Sequence, residues 1–267
     1  MKAKEIIEKI LKASGNREIP NTCDQIAYGD PETEVSKIVT TFMATADVIR
    51  KAAACGAQMI ITHEPTYFTG ADKTDWLVND SVYRKKKELL DRSHLVIWRY
   101  HDHMHAAGSD QIYDGLLKKI EWEGYLDRNF PFPHCYTIPE TTLRGLAAFF
   151  KEKLNMSTIQ IVGDPEAKIT RVGILVGGGS LGLGREEMPM QLMEQQNLDV
   201  IVCGDITEWT LCAYVRDAAQ LGLNKSMLVV GHERTEEPGM EWMADWLPKL
   251  VGLPVEFISA GEPFSYL

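Results

Sequence analysis

Short apolar runs rich in β-branched residues alternate along this chain with longer segments whose apolar positions recur at helical spacing. Residues 4–14 carry Ile6, Ile7, Ile10 and Leu11 on one face, which predicts an amphipathic helix. Residues 16–28 are polar and broken, and read as loop. Residues 37–44 then read as a strand, 46–55 as a helix stopped by Gly56, and 58–62 as a buried strand. Strand, helix and strand joined by short loops predict a parallel sheet covered by helices. Further on, 81–93 reads as a charged helix, the run from Leu95 toward His105 starts as a strand, and 110–119 reads as a helix. Pro131, Pro133 and Pro139 make 129–140 a loop and a candidate domain crossing.

Beyond that loop the alternation resumes. Helices are expected over 142–153, 188–196, 209–221 and 238–251, and strands over 159–162, 171–176, 200–203, 227–230 and 255–258. Gly177 to Gly184 reads as a glycine-rich turn, either a plain tight turn or a loop lining a substrate cavity. The expected architecture is α/β and two-lobed, with mostly parallel sheets covered by helices. One lobe comprises 1–128 together with 232–267, and the other 129–231.

Composition narrows the function classes. A chain of 267 residues with 45% hydrophobic and 25% charged positions can bury a core without disulfide staples. Its net charge of −10 argues against nucleic acid as a partner, because a phosphate backbone demands clustered Lys and Arg. A small anion at a local site remains compatible. No apolar run approaches the ~20 residues that cross a bilayer, so no membrane partner is expected. The five scattered cysteines form no C-x-x-C pair, which fits free thiols in a reducing, cytoplasmic setting.

Three clusters carry candidate chemistry, each at the C-terminal end of an expected strand, where ligands collect in open α/β sheets. His63 and Glu64 follow the strand at 58–62, with Pro65 turning the chain. His101, His103 and His105 recur with period two, so a persisting strand would place all three on one face. His232 and Glu236 are four apart, one above the other on a forming helix. Asp205 and Glu208 open a helix and read as caps. Nitrogen and oxygen donors without thiolate suit two divalent first-row ions, Zn, Fe or Mn, better than a closed structural zinc site. Such a pair would sit at the strand ends between the lobes and deprotonate a water.

These residues resemble the NGG-interacting-factor-three-like proteins, often labelled GTP cyclohydrolase type 2 homologues. Ile-Thr-His63-Glu64-Pro65 stands where most members have His-His-Pro. Tyr100-His101-Asp-His-Met-His105-Ala-Ala is similar to the family's Tyr-His-Thr-Asn-Leu-Asp-Ala-Ala, and Gly231-His232-x-x-Thr235-Glu236 to its Gly-His-x-x-Thr-Glu. Gly177-Gly-Gly-Ser180 and Cys203-Gly204-Asp205-Ile206 align with its Gly-Gly-Ser and Thr-Gly-Glu-Ile/Val turns. The resemblance implies a dinuclear site with His63, Glu64, His105, His232 and Glu236 as ligands. His101 would stand beside them in proton transfer. Glu64 would also serve catalysis, as a candidate for the bridge that the family's Asp would supply. The resemblance further implies the short family form, assembled as a homo-oligomeric, hexameric ring. The expected function is hydrolysis of a small phosphorylated or nucleotide-like substrate. The alternative is a non-catalytic metal-binding assembly or partner-binding module.

Overall fold

The apolar stripe near the start of the chain becomes helix α1 (Ala3–Ala13), which buries Ala3, Ile6 and Ile10. The computed structural model describes residues 1–127 and 134–267. The chain folds as two compact units, one of Met1–Gly115 with Glu237–Pro263 and one of Leu116–Glu236 with Phe264–Leu267. The change of unit lies within a helix at 111–120 and again after Glu236, where the sequence reading set it after 128 and before 232.

In the first unit the chain runs through β1 (Gln25–Tyr28), β2 (Ile38–Thr41), α2 (Ala46–Ala54), β3 (Met59–Thr62), α3 (Ser81–Ser93), β4 (Val96–Arg99) and α4 (Asp102–His105). Helix α5 (Gln111–Ile120) follows. Strands β2, β3 and β4 are buried along their whole length, as parallel strands covered on both faces must be. Thr45 caps α2 by accepting from the Val48 amide at 3.2 Å, and Asp80 caps α3 by accepting from Tyr83 at 2.9 Å. Val39, Ile60 and Ile97 of the sheet pack with Val48, Ile49 and Leu90 of the helices.

The second unit contains β5 (His134–Thr142), α6 (Leu143–Lys153), β6 (Gln160–Val162), β7 (Lys168–Leu175), α7 (Met188–Gln195), β8 (Val200–Cys203), α8 (Leu211–Gln220) and β9 (Ser226–Val229). Helix α9 (His232–Val251) begins there and ends in the first unit, followed by β10 (Val255–Phe257). The first sheet has the order β1-β4-β3-β2-β10 and the second β5-β7-β8-β9-β6. Pairing is parallel except where β1 meets β4, β5 meets β7 and β6 meets β9, all at edges. The expected mixed α/β architecture, two sheets covered by helices, is the one formed.

Two expectations for local structure are corrected. The polar stretch read as loop ends in the edge strand β1, whose three apolar residues, Ile26, Ala27 and Tyr28, are only partly buried and too few to stand out beside the polar residues before them. The proline-rich segment read as loop is strand β5 from His134 onward. Its register shifts between Thr137 and Thr141, so Pro139 sits where the ladder is already interrupted. Pro131 and Pro133 lie outside the described residues. Among the described residues, no helix is long and apolar enough to cross a membrane.

Helix α3 also buries a cation. Lys86 donates to the Thr66 carbonyl and lies 5.8 Å and 5.3 Å from the Tyr67 and Phe68 ring centroids. Burial pushes its ammonium down to about 8, against the pull of Asp72. From there to the ordinary lysine value the unfolded chain holds a proton that the native state has released, so native stability rises with pH. Lys86→Met removes this dependence. Urea unfolding should find the variant ahead of the wild type near pH 7 by up to roughly 3 kcal/mol, with the gap closing toward pH ~10.5. A gap that does not change with pH contradicts the assignment.

Candidate metal centre

In the first unit, β3 delivers His63 into complete burial. The Phe42 carbonyl accepts from both His63 N–H (3.0 Å) and Glu64 N–H (2.8 Å), which turns the chain as it leaves the strand. Arg99, at the end of β4, fixes the same turn. Its guanidinium donates to the His63 carbonyl at 3.1 Å, to the Gly70 carbonyl at 2.6 Å and to Glu64 Oε2 at 3.1 Å. One Glu64 oxygen therefore faces Arg99, while Oε1 lies 3.8 Å from His101 Nε2.

The period-two reading of 101, 103 and 105 is corrected. The strand ends at Arg99 because a remote carboxylate starts a helical turn. Asp24 accepts from the amides of His101 (2.8 Å), Asp102 (2.7 Å) and His103 (3.3 Å). Helical spacing then puts His101 and His105 together and sends His103 elsewhere. His103 has both ring nitrogens engaged, by Asp24 at 2.8 Å and the Arg17 carbonyl at 2.9 Å. His63 and His101 stack with centroids 4.4 Å apart, and His105 stands edge-on at 5.0 Å from each. Each of the three offers a ligand atom within 4.8 Å of the others.

The Nδ1 atoms decide what the Nε2 atoms can do. His63 Nδ1 faces the Tyr100 carbonyl at 3.3 Å, His101 Nδ1 faces Asp102 at 2.9 Å, and His105 Nδ1 faces Asp110 at 2.8 Å. All three partners can only accept, so Nδ1 carries the proton and Nε2 keeps its lone pair, as in metal-ligating imidazoles. Burial first, then the neighbouring His101 and His105, hold His63 well below the ordinary histidine range and therefore neutral. Burial alone would raise the Asp102 carboxyl. Hydrogen bonds from the Cys23 amide, His101 and Thr22 outweigh it and keep Asp102 ionised.

The second unit repeats the device. His232 opens α9 and turns Nδ1 to Asp205 at 2.8 Å, while its Nε2 lies 3.1 Å from Oε2 of the buried Glu236. The i,i+4 pair expected from spacing thus forms on the first turns of α9. Asp205, read as a helix cap, is instead the acceptor that orients His232. The glycine-rich turn begins with Gly177 at φ +49°, its amide donating to Thr235 Oγ1 at 3.0 Å. A Cβ there would lie 1.9 Å from Glu236 Oε1 and 2.7 Å from His232 Nε2, so the absent side chain makes room for the His232 and Glu236 side chains.

The Duf34/NIF3 (NGG1p interacting factor 3) family model matches residues 1–263. The chain belongs to this family. A Clostridium perfringens protein named GTP cyclohydrolase 1 type 2 homolog is 24% identical over 252 residues, covering 91% of this chain and 90% of its own. A crystal structure of a Staphylococcus aureus protein superposes with TM-score 0.74 at 20% identity, covering 100% and 99% of the two chains. The Bacillus cereus protein related to NIF3 does so with TM-score 0.74 at 15% identity, again covering 100% and 99%. At these identities the structural likeness shows the fold.

Within this NIF3-family chain, the residues that orient the imidazoles were not legible beforehand. Asp102, Asp110 and the Tyr100 carbonyl give no signal as partners, because nothing in their spacing announces which ring nitrogen they meet. The donor set itself, imidazole nitrogens presented through Nε2 and carboxylates beside them, has the chemistry of a divalent-metal site.

Proposed function

We propose that this protein is a metal-dependent hydrolase in which His63, Glu64, His105, His232 and Glu236 together hold two divalent ions. The observation that carries this reading is the clustering of His63, His101 and His105 ligand atoms within 4.8 Å of one another, with Nδ1 of each ligand imidazole anchored by an acceptor so that the lone pair sits on Nε2. Bound divalent ions supply a water acidic enough to attack an electrophilic phosphorus or carbon at neutral pH. The chain's own residues do the rest. Asp110 and Asp205 hold their imidazoles in one tautomer. Arg99 fixes the orientation of Glu64. His101, oriented by ionised Asp102, takes or returns a proton at Nε2, 3.8 Å from Glu64 Oε1. The substrate on this reading is a small phosphorylated or nucleotide-like molecule, and the chain acts as a homo-oligomer, a hexameric ring, in the cytoplasm.

A library of phosphoesters and nucleotides offered to the fully metallated protein tests the reading. Turnover should be found, and Glu236→Ala should abolish it while the oligomer stays intact on gel filtration. If no member is turned over, the hydrolase reading fails and a non-catalytic metal-binding assembly takes its place.

A further inference from the structure

Helix α3 carries far more positive charge than the metal chemistry uses, on a chain whose net charge is −10. Part of that charge faces a cavity of about 850 Å³ lying wholly within the first unit. Arg50 of α2 and Lys85, Lys86 and Arg92 of α3 line it, against the two carboxylates Glu64 and Glu88. Among the described residues none of these four cations forms an ion pair. Lys87 of the same helix, by contrast, is neutralised by Asp91 at 2.8 Å. Thr45 and Ala46, the first residues of capped helix α2, also line the cavity and add the positive end of its dipole.

The remaining wall is apolar. Met43, Val82 and Leu89 contribute to it, together with Phe68, which is 56% exposed. Phe68 holds φ at +68°, a left-handed conformation costly for a bulky residue. The loop bearing it is fixed by Asp72, which accepts from the Thr66 amide at 2.9 Å and from the Tyr67 amide. A strained, exposed aromatic on a fixed loop beside unneutralised cations is the pattern of a ligand site.

We infer that this cavity binds a phosphorylated ligand with a planar apolar body. Its phosphate lies among Arg50, Lys85, Lys86 and Arg92, and its ring lies against Phe68. The inference rests on the proposed hydrolase reading for its purpose: Glu64 lines this cavity and is also one of the residues that would hold metal, so a ligand seated here has one end at a residue of that centre. The cavity then selects the substrate class, an aryl or nucleoside-type phosphate ester, by charge at one wall and stacking at the other.

Binding to metal-free protein tests this without reference to turnover, with 1-naphthyl phosphate as the fluorescent probe. Saturable binding that weakens with added salt is expected. The triple variant R50A/K85A/R92A should weaken it at least tenfold, while a Lys9→Ala and Lys12→Ala control on α1 leaves it unchanged. Phe68→Ala should weaken 1-naphthyl phosphate several-fold and leave inorganic phosphate unaffected. Absence of saturable binding, or equal affinity for the wild type and the triple variant, overturns the inference. Saturable, cation-dependent binding without turnover by the metal-loaded protein overturns the hydrolase reading and leaves the cavity assignment standing.

Discussion

Gly177→Ala should strip the protein of most of its bound metal while leaving it folded. The new methyl group would fall 1.9 Å from Glu236 Oε1 and 2.7 Å from His232 Nε2, distances that no real contact sustains. What yields is decided by stiffness. The Glu236 carboxylate is the far end of a flexible side chain, so it swings away and the fold survives. The left-handed backbone at Gly177 adds a cost of about 1–2 kcal/mol for any residue with a Cβ, worth a few degrees in thermal midpoint for a chain of this size. Elemental analysis of dialysed protein beside a thermal melt checks both halves. Full metal content in the variant would mean that Glu236 does not ligate.

Asp110→Ala and Asp205→Ala should each weaken metal affinity about 10–100-fold, although neither residue is assigned as a ligand. Each carboxylate fixes an imidazole through Nδ1, at 2.8 Å in both cases. Losing it frees the ring to rotate and to place its proton on Nε2, the atom that must bind. Competition with a chelator of known affinity measures the effect. Unchanged affinity in both variants would reduce these bonds to ordinary packing contacts.

Much of this was readable in the sequence for identifiable reasons. Helices α2 and α3 and strands β3 and β8 follow strong local signals, a cap before an apolar period or an unbroken β-branched run. The His232 and Glu236 pair was legible because both lie on one helix, where spacing alone fixes geometry. The histidines at 101, 103 and 105 were misread because the deciding group, Asp24, is remote in sequence. Three amides converging on its carboxylate convert an expected strand into a helical turn. Strand β1 was missed because its apolar run is only three residues long at the end of a polar stretch, and β5 because it tolerates Pro139 where its register shifts. The Glu64–Arg99 pair was not legible, because its partners are 35 residues apart and meet only once β3 and β4 lie side by side.

Elemental analysis of freshly purified wild type, His63→Ala and His232→Ala tests the metal centre most directly. Two divalent ions per chain in the wild type, with marked loss in each variant at unchanged fold, is the predicted result. A wild type without bound metal after exposure to Zn, Fe and Mn, or variants loaded as fully as the wild type, would contradict it.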